Sequence, residues 1–251
     1  MGQKTHPKGF RLVTTQKHLS SWYSEKSHYP TLLEEDAFFR QKVETMVKDF
    51  LNLSSIEIFR SGGEEEKDQR IHILLKALYP RQKEMSKKLI DFLKEEKIFG
   101  KKLQKQLVQL RGFGQKAKLF AYCFLKYKMR QVIRTLKKQS SKRITIGIDF
   151  IRNPFEKAIF IAKMIGDQLQ RRIPYRRIVK QILKKGKKTV MKGIKIELSG
   201  RLNGVEMARS EWKREGKIPL HTLRTNIDYT HYKIQTIYGI MGIKVWLLKS
   251  H

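Results

Sequence analysis

An α+β architecture in two domains is what the sequence predicts, and three observations predict it. Apolar residues recur at three- and four-residue steps between Thr31 and Leu51. Two alternating runs flank a polar turn before residue 80, and beyond Asn153 two helical stretches lead into a chain of alternating strands. A length of 251 residues fits one large domain or two small ones, and 40% hydrophobic with 10% aromatic residues can build a core.

The elements follow in order. Met1 to Phe10 sets Gly2, Pro7 and Gly9 among Lys4, His6 and Lys8 without a helix or strand period, which predicts an extended basic arm over residues 1–30. Leu32, Leu33, Phe38, Phe39, Val43, Met46, Val47, Phe50 and Leu51 form a helical stripe, with Glu34, Glu35 and Asp36 in the early turns where the helix dipole favours acid. Ser55–Arg60 and Arg70–Tyr79 alternate around a polar turn at Ser61–Gln69 and read as a β-hairpin, closed by Pro80. Two helical stretches separated by Gly112-Phe-Gly114 follow, with stripes at Met85, Leu89, Phe92 and Leu93, then at Leu119, Tyr122, Cys123, Tyr127, Val132, Ile133 and Leu136. Ile144, Ile146, Ile148 and Phe150 alternate as a strand that Asn153-Pro154 ends, placing a domain boundary near residue 151.

Beyond the boundary, Phe155–Ile173 is predicted helical with Ile159, Ala162, Ile165 and Leu169 inward, and Pro174 opens a second helix to about Lys184. Strands are expected at Gly193–Ser199, Leu223–Tyr229, Tyr232–Tyr238 and Ile243–Leu248. A short helix over Val205–Arg214 is expected from the spacing of Val205, Ala208 and Trp212.

Charge narrows the function. With 55 Lys and Arg against 23 Asp and Glu, the net charge is +32, an excess that calls for a polyanionic partner. Residues 81–143 hold 20 basic and 4 acidic side chains, and residues 171–192 hold ten basic and no acidic ones. On a helix Arg172, Arg176 and Lys180 make one cationic ridge with Arg177 beside it, flanked by Arg171, Lys184 and Lys185, while Ile178, Ile182 and Leu183 turn inward. Arginine forks suit phosphate oxygens, so this ridge is predicted to bind nucleic acid. In Ser199–Gly204, Arg201 is placed to reach a phosphate near the start of the expected Val205 helix. Gly239-Ile-Met-Gly242 has the Gly-x-x-Gly spacing of a backbone-clamping loop, but its position between two predicted strands makes it an ordinary turn.

Catalysis finds no support. The chain has no phosphate loop, zinc-protease, nucleophile-elbow or dinucleotide signature, and its seven histidines lack ligand spacing, so no catalytic residue, metal or cofactor is predicted. The single cysteine, Cys123, excludes an internal disulfide framework and lies on an apolar stripe. No apolar run approaches the roughly 18 residues of a spanning helix, and no membrane partner is expected.

At both ends the sequence resembles the universal small-subunit ribosomal protein S-three family. Met1-Gly-Gln-Lys-Thr-His-Pro-Lys-Gly-Phe-Arg-Leu12 is similar to its N-terminal arm. Lys192-Gly-Ile-Lys-Ile-Glu-Leu-Ser-Gly-Arg-Leu-Asn-Gly204, Glu206-Met-Ala-Arg209, Glu211-Trp212, Arg214-Glu-Gly216, Pro219-Leu-His-Thr-Leu-Arg224 and Tyr238-Gly-Ile-Met-Gly-Ile-Lys-Val-Trp246 follow the family's order. Thr14-Thr-Gln16, Trp22 and the acidic start of the first helix resemble the plastid branch.

The resemblance implies a KH-like domain of type II topology over residues 31–151, with residues 81–114 inserted or remodelled, and an α/β C-terminal domain over 152–251. It implies binding to ribosomal RNA in the head of the small subunit and contact with ribosomal proteins S-ten and S-fourteen. It also implies a place beside S-four and S-five along the channel through which messenger RNA enters. Pro174-Tyr-Arg-Arg-Ile-Val-Lys180 matches the motif of that role, placing it on Arg176, Arg177 and Lys180. RNA contacts are expected at Lys4, Lys8, Arg11, Arg171, Arg172, Lys184, Lys185 and Arg201 as well. The absence of a transit-like segment implies synthesis inside the plastid, with the protein in stromal ribosomes. The rival reading at this point is an RNA-processing enzyme carrying a KH-like module.

Overall fold

A computed structural model describes residues 3–48, 50–62, 70–79, 114–138, 140, 142–186 and 191–249, with side chains of the helix beginning at Gly114 described from Leu125 onward. The expected turn over 63–69, the first helical stretch with Met85, Leu89, Phe92 and Leu93, the insertion at 81–113, and the side chains of Leu119, Tyr122 and Cys123 lie outside those residues. The chain divides into two units, Leu19–Phe150, and Met1–His18 together with Ile151–His251.

In the first of these, β1 (Ser20–Ser21) pairs in parallel with β2 (Leu53–Ser61), which pairs antiparallel with β3 (Arg70–Leu78), and β4 (Arg143–Ile151) lies beside β3. Strand alternation sends Ile58, Ile71, Ile73, Leu75, Ala77 and Ile144 to one face. There they meet Phe39, Val43 and Val47 of α2 (Tyr29–Val47) and Leu125, Met129, Val132 and Leu136 of α3 (Gly114–Lys137). Asp36, expected only as a dipole-favouring acid, is buried. Its carboxylate accepts from Ser20 Oγ at 2.9 Å, Trp22 Nε1 at 2.8 Å and the Arg60 guanidinium, so the chain before α2 is tied to strand β2.

The second unit is a four-stranded antiparallel sheet of order β6-β5-β8-β7, with β5 (Met191–Gly200), β6 (Arg209–Gly216), β7 (Ile227–Thr236) and β8 (Gly239–Lys249). Helices α4 (Ala158–Gln170) and α5 (Tyr175–Gly186) cover one face. Ile161, Ala162 and Ile165, with Ile178 and Ile182, pack on Ile194, Ile196, Leu198, Ile243, Val245 and Leu247. Gly166 lets α4 approach: a Cβ there would stand 2.6 Å from Ile234 Cδ1. On the opposite face Ile218 and Leu220 pack on Ile227, Trp246 and Leu248, and cover part of it.

Three expectations are corrected. Val205–Arg214 is not a helix: residues 209–216 form edge strand β6, whose backbone pairs with β5 from Gly193↔Gly216 to Gly200↔Arg209. The helical spacing of Val205, Ala208 and Trp212 is incidental, since all three are exposed and offer no buried face. The two strands expected at Leu223–Tyr229 and Tyr232–Tyr238 are one continuous β7, because Thr230 and His231 stay in register with Val245 and Lys244. The hairpin turn is Ile237-Tyr238, so Gly239-Ile-Met-Gly242 lies within β8 rather than in the turn.

The arm is not extended throughout. Pro7, with its fixed φ, opens a short helix, α1 (Pro7–Arg11), and His6 Nδ1 accepts from Gly9 N at 3.2 Å. His6 meets the Tyr229 ring edge-on with centroids 4.9 Å apart, and Gln16 Nε2 donates to the Ile227 carbonyl, so the arm as far as His18 is part of the C-terminal unit, while its remainder belongs to the unit Leu19–Phe150.

Candidate nucleic-acid interface

The ridge is built at the junction of α4 and α5. Helix α4 ends with Arg171 at its C-cap and Arg172 in the left-handed region at φ 60°. The Arg172 amide donates to the Leu169 carbonyl at 2.9 Å and the Ile173 amide to the Gln168 carbonyl at 3.2 Å, the paired closure of a Schellman motif. Glycine is usual at that position, so arginine there carries a steric cost of about 1–2 kcal/mol. The turn runs into Pro174, whose carbonyl receives the first amides of α5, from Arg177 at 3.0 Å and Ile178 at 3.2 Å.

Along α5 the helical period sorts the residues. Tyr175, Ile178, Val179, Ile182 and Leu183 are buried, while Arg176, Lys180 and Lys184 stand exposed at four-residue steps, with Arg177 and Lys185 beside them. Arg171 and Arg172 are exposed at the preceding turn. The sequence-predicted cations at 171, 172, 176, 177, 180, 184 and 185 thus gather on consecutive elements. Among the described residues no carboxylate forms an ion pair with any of them. Seven neighbouring positive charges, none of them in an ion pair with a described carboxylate, are a site for a polyanion.

One cation of the ridge is oriented. Tyr175 Oη donates to Glu211 Oε2 at 2.7 Å and accepts from Arg176 Nε at 3.0 Å, with Arg209 Nη2 at 3.5 Å. The Arg176 guanidinium lies 5.7 Å from the Tyr175 ring centroid. The Tyr175 hydroxyl, followed by the negative charge of Glu211, raises the Arg176 pKa above its ordinary value, so its charge is secured. Sequence reading missed Tyr175, Arg209 and Glu211 because it placed the last two on a helix. Residues 210–215 carry charged side chains on both parities, so no apolar–polar alternation in the sequence marks them as a strand.

The remaining expected contacts are elsewhere. Lys4 is exposed on the arm. Lys8 forms an ion pair with Asp228 at 3.1 Å, and the same carboxylate accepts from Ala158 N, at the start of α4, at 2.9 Å. Arg11, expected on RNA, is corrected outright: it is 0% exposed. Its Nε donates to Thr225 O at 3.0 Å, Nη1 to Pro7 O at 3.1 Å, and Nη2 to Leu220 O at 2.7 Å and Thr222 O at 3.0 Å. Burial pushes its pKa below the ordinary value. Its N–H donors thus fasten Pro7 of α1 to the irregular loop 219–225. Arg201 is exposed in the tight turn after β5 and donates to Val205 O at 3.1 Å. The helix whose N-terminus it was to share does not exist, although Asn203 of that turn accepts from Tyr175 N at 3.4 Å.

Among the described residues no group of His, Cys, Asp and Glu could hold a metal ion, and no helix is long and apolar enough to cross a membrane.

Comparison with known proteins adds the following. The family profile described as "Ribosomal protein S3, C-terminal domain" matches residues 165–247, the span that carries α5 and the sheet. Over its full length the chain is similar to "Small ribosomal subunit protein uS3c" of Staurastrum punctulatum, 36% identical over 258 residues and covering 100% of both chains. It is also 36% identical over 250 residues to the uS3c of Cyanophora paradoxa, covering 94% of that protein. Against "Small ribosomal subunit protein uS3" of Trichormus variabilis the identity is 36% over 254 residues, covering 82% of it.

Proposed function

Because the chain belongs to the ribosomal protein S3 family, a structural constituent of the small ribosomal subunit and not an enzyme, we propose that it binds ribosomal RNA in the subunit head. On this reading α5 lines the channel by which messenger RNA enters. Membership removes the rival reading of an RNA-processing enzyme. The likeness to uS3c proteins favours the plastid ribosome of the stroma as the place of action.

The observation that carries the reading is the run of exposed cations, free of ion pairs with described carboxylates, on a helix packed along its other face. Arg176, Arg177 and Lys180 project from a backbone whose other face is fully packed, so they meet a strand of RNA without paying for loop ordering. Arg171, Arg172, Lys184 and Lys185 extend the same charge, with Lys4 and Arg201 as outlying contacts. The unit Leu19–Phe150 supplies two helices against one face of its sheet. That arrangement supports a KH-like scaffold of type II topology, with residues 81–114 as an inserted or remodelled segment. The family resemblance supports S-ten and S-fourteen as protein neighbours, and S-four and S-five as companions along the channel.

The test is replacement of Arg176, Arg177 and Lys180 by Gln together. Incorporation into small subunits is expected to persist, because none of the three is in the core, while translation through a stable hairpin slows relative to an unstructured message. Equal rates on both messages reject the channel role.

A further inference from the structure

The outer face of the C-terminal sheet carries a second arrangement suited to nucleic acid. Register places Trp212, Glu197, Lys244 and His231 in one cross-strand row on that face, with Arg214 and Lys195 in the row beside it. The Lys195 ammonium is sandwiched between two indoles, 5.1 Å from the Trp212 centroid and 4.7 Å from that of Trp246. Trp246 is buried under the loop and arm, but Trp212 is 63% exposed.

A large indole held open to water on an edge strand, braced by a cation beneath it, gains nothing for the fold from its outer surface. Charge decides what it receives. Glu197 pairs with Lys244 at 3.3 Å and also lies near Lys195, so on this face three cations, Lys195, Arg214 and Lys244, stand against one carboxylate around the indole. We propose that Trp212 is a stacking platform for an unpaired RNA base, with Arg214 and Lys195 holding the flanking phosphates. The sequence-tolerant stacking of a base on an indole and the attraction of its backbone to adjacent cations are the two terms of single-strand recognition, and both are present here. A neighbouring protein is less well matched to this face than RNA, because it would have to supply carboxylates to an indole whose charged neighbours are mostly cations.

The inference rests on the RNA-binding reading above, and its test separates the two. Binding of the full chain to a fluorescein-labelled, twelve-nucleotide oligouridylate is measured for wild type, for Trp212→Ala, Trp212→Leu and Trp212→Phe, and for the ridge variant with Arg176, Arg177 and Lys180 replaced by Gln. Stacking predicts that Trp212→Ala and Trp212→Leu weaken binding by roughly five- to a hundred-fold, whereas Trp212→Phe stays within a few-fold of wild type. Arg214→Gln is expected to reduce the slope of log affinity against log salt by about 0.7. If Leu serves as well as Phe, or if all three Trp212 variants bind as wild type while the ridge variant is weakened, the platform is refuted and the ridge reading stands. If the ridge variant also binds as wild type, both fail. Unchanged RNA binding with lost incorporation into small subunits assigns the face to a protein and overturns the proposal.

Discussion

Replacing Arg11 by Met tests whether that side chain is an internal staple or a nucleic-acid contact. Met keeps length and apolar character but removes every donor, taking from the carbonyls of Pro7, Leu220 and Thr225 the bonds of 3.1, 2.7 and 3.0 Å that Arg11 gives them, while the Thr222 carbonyl keeps the one from Thr225 Oγ1 at 2.7 Å. Each carbonyl left buried and unpaired costs about 1–3 kcal/mol, so three give a gross penalty of about 3–9 kcal/mol. The full penalty is not reached, because the arm can lift away and let water in. What is then lost is the docking of α1, meaning the His6–Tyr229 contact, the Gln16 bond and the half-exposed Lys8–Asp228 pair. These are worth about 2–4 kcal/mol together, the exposed pair adding little. At roughly 3–4 °C per kcal/mol for a unit of this size, the unfolding temperature of the free protein falls by about 10 °C. Trypsin cleaves at Lys4, Lys8 and Lys17 sooner. Arg11→Lys, with one compact ammonium in place of a fork, recovers about half. An unchanged melting temperature and cleavage rate for Arg11→Met, accompanied by weaker RNA binding, would show that Arg11 faces RNA and that the arm is held some other way.

Arg172→Gly relieves the left-handed backbone at φ 60° and is expected to raise the melting temperature by a few degrees, from about 1 kcal/mol. It also lowers the salt slope of single-strand binding by about 0.7, and a drop in melting temperature would show that the side chain packs. Tyr175→Phe frees Arg176 from the hydroxyl 3.0 Å away, weakening RNA binding a few-fold in wild type but not in an Arg176→Gln background, where a double-mutant cycle reads the coupling. Burial, reinforced by nearby Lys157, pushes the Lys249 pKa below the ordinary lysine value of 10.5. The unfolded chain therefore holds that proton more readily than the folded one. Stability rises with pH from the depressed value toward 10.5, and Lys249→Met flattens that rise in melting curves across the alkaline range.

Much of the fold was legible because its signals are local. Phe39, Val43 and Val47 mark α2 by helical spacing alone, and the alternation of Ile194, Ile196 and Leu198 marks β5. The ridge was legible for the same reason: four-residue steps on a helix with an apolar back leave Arg176 and Lys180 only one direction to point. Strand β6 was illegible because an edge strand buries neither face strongly, so Val205, Ala208 and Trp212 could imitate a helix until pairing with β5 was known. The partners of Lys8 and Arg11 were not foreseen because a basic residue written in a chain looks the same whether it meets a phosphate, a carboxylate or a ring of carbonyls. Their partners lie more than 200 positions away, and no window of sequence reaches them.

The clasp between Arg11 and Thr225 spans 214 positions of sequence. Translation at 5–20 residues per second separates their appearance by on the order of ten to forty seconds. Through that interval the nascent chain holds a cationic leader with nothing to fasten it, while the stretch from Leu19 to Phe150 emerges and condenses. Loop closure over such a distance comes late, so α1, made before either sheet, is among the last elements to settle, and its docking reports that β7 has been completed.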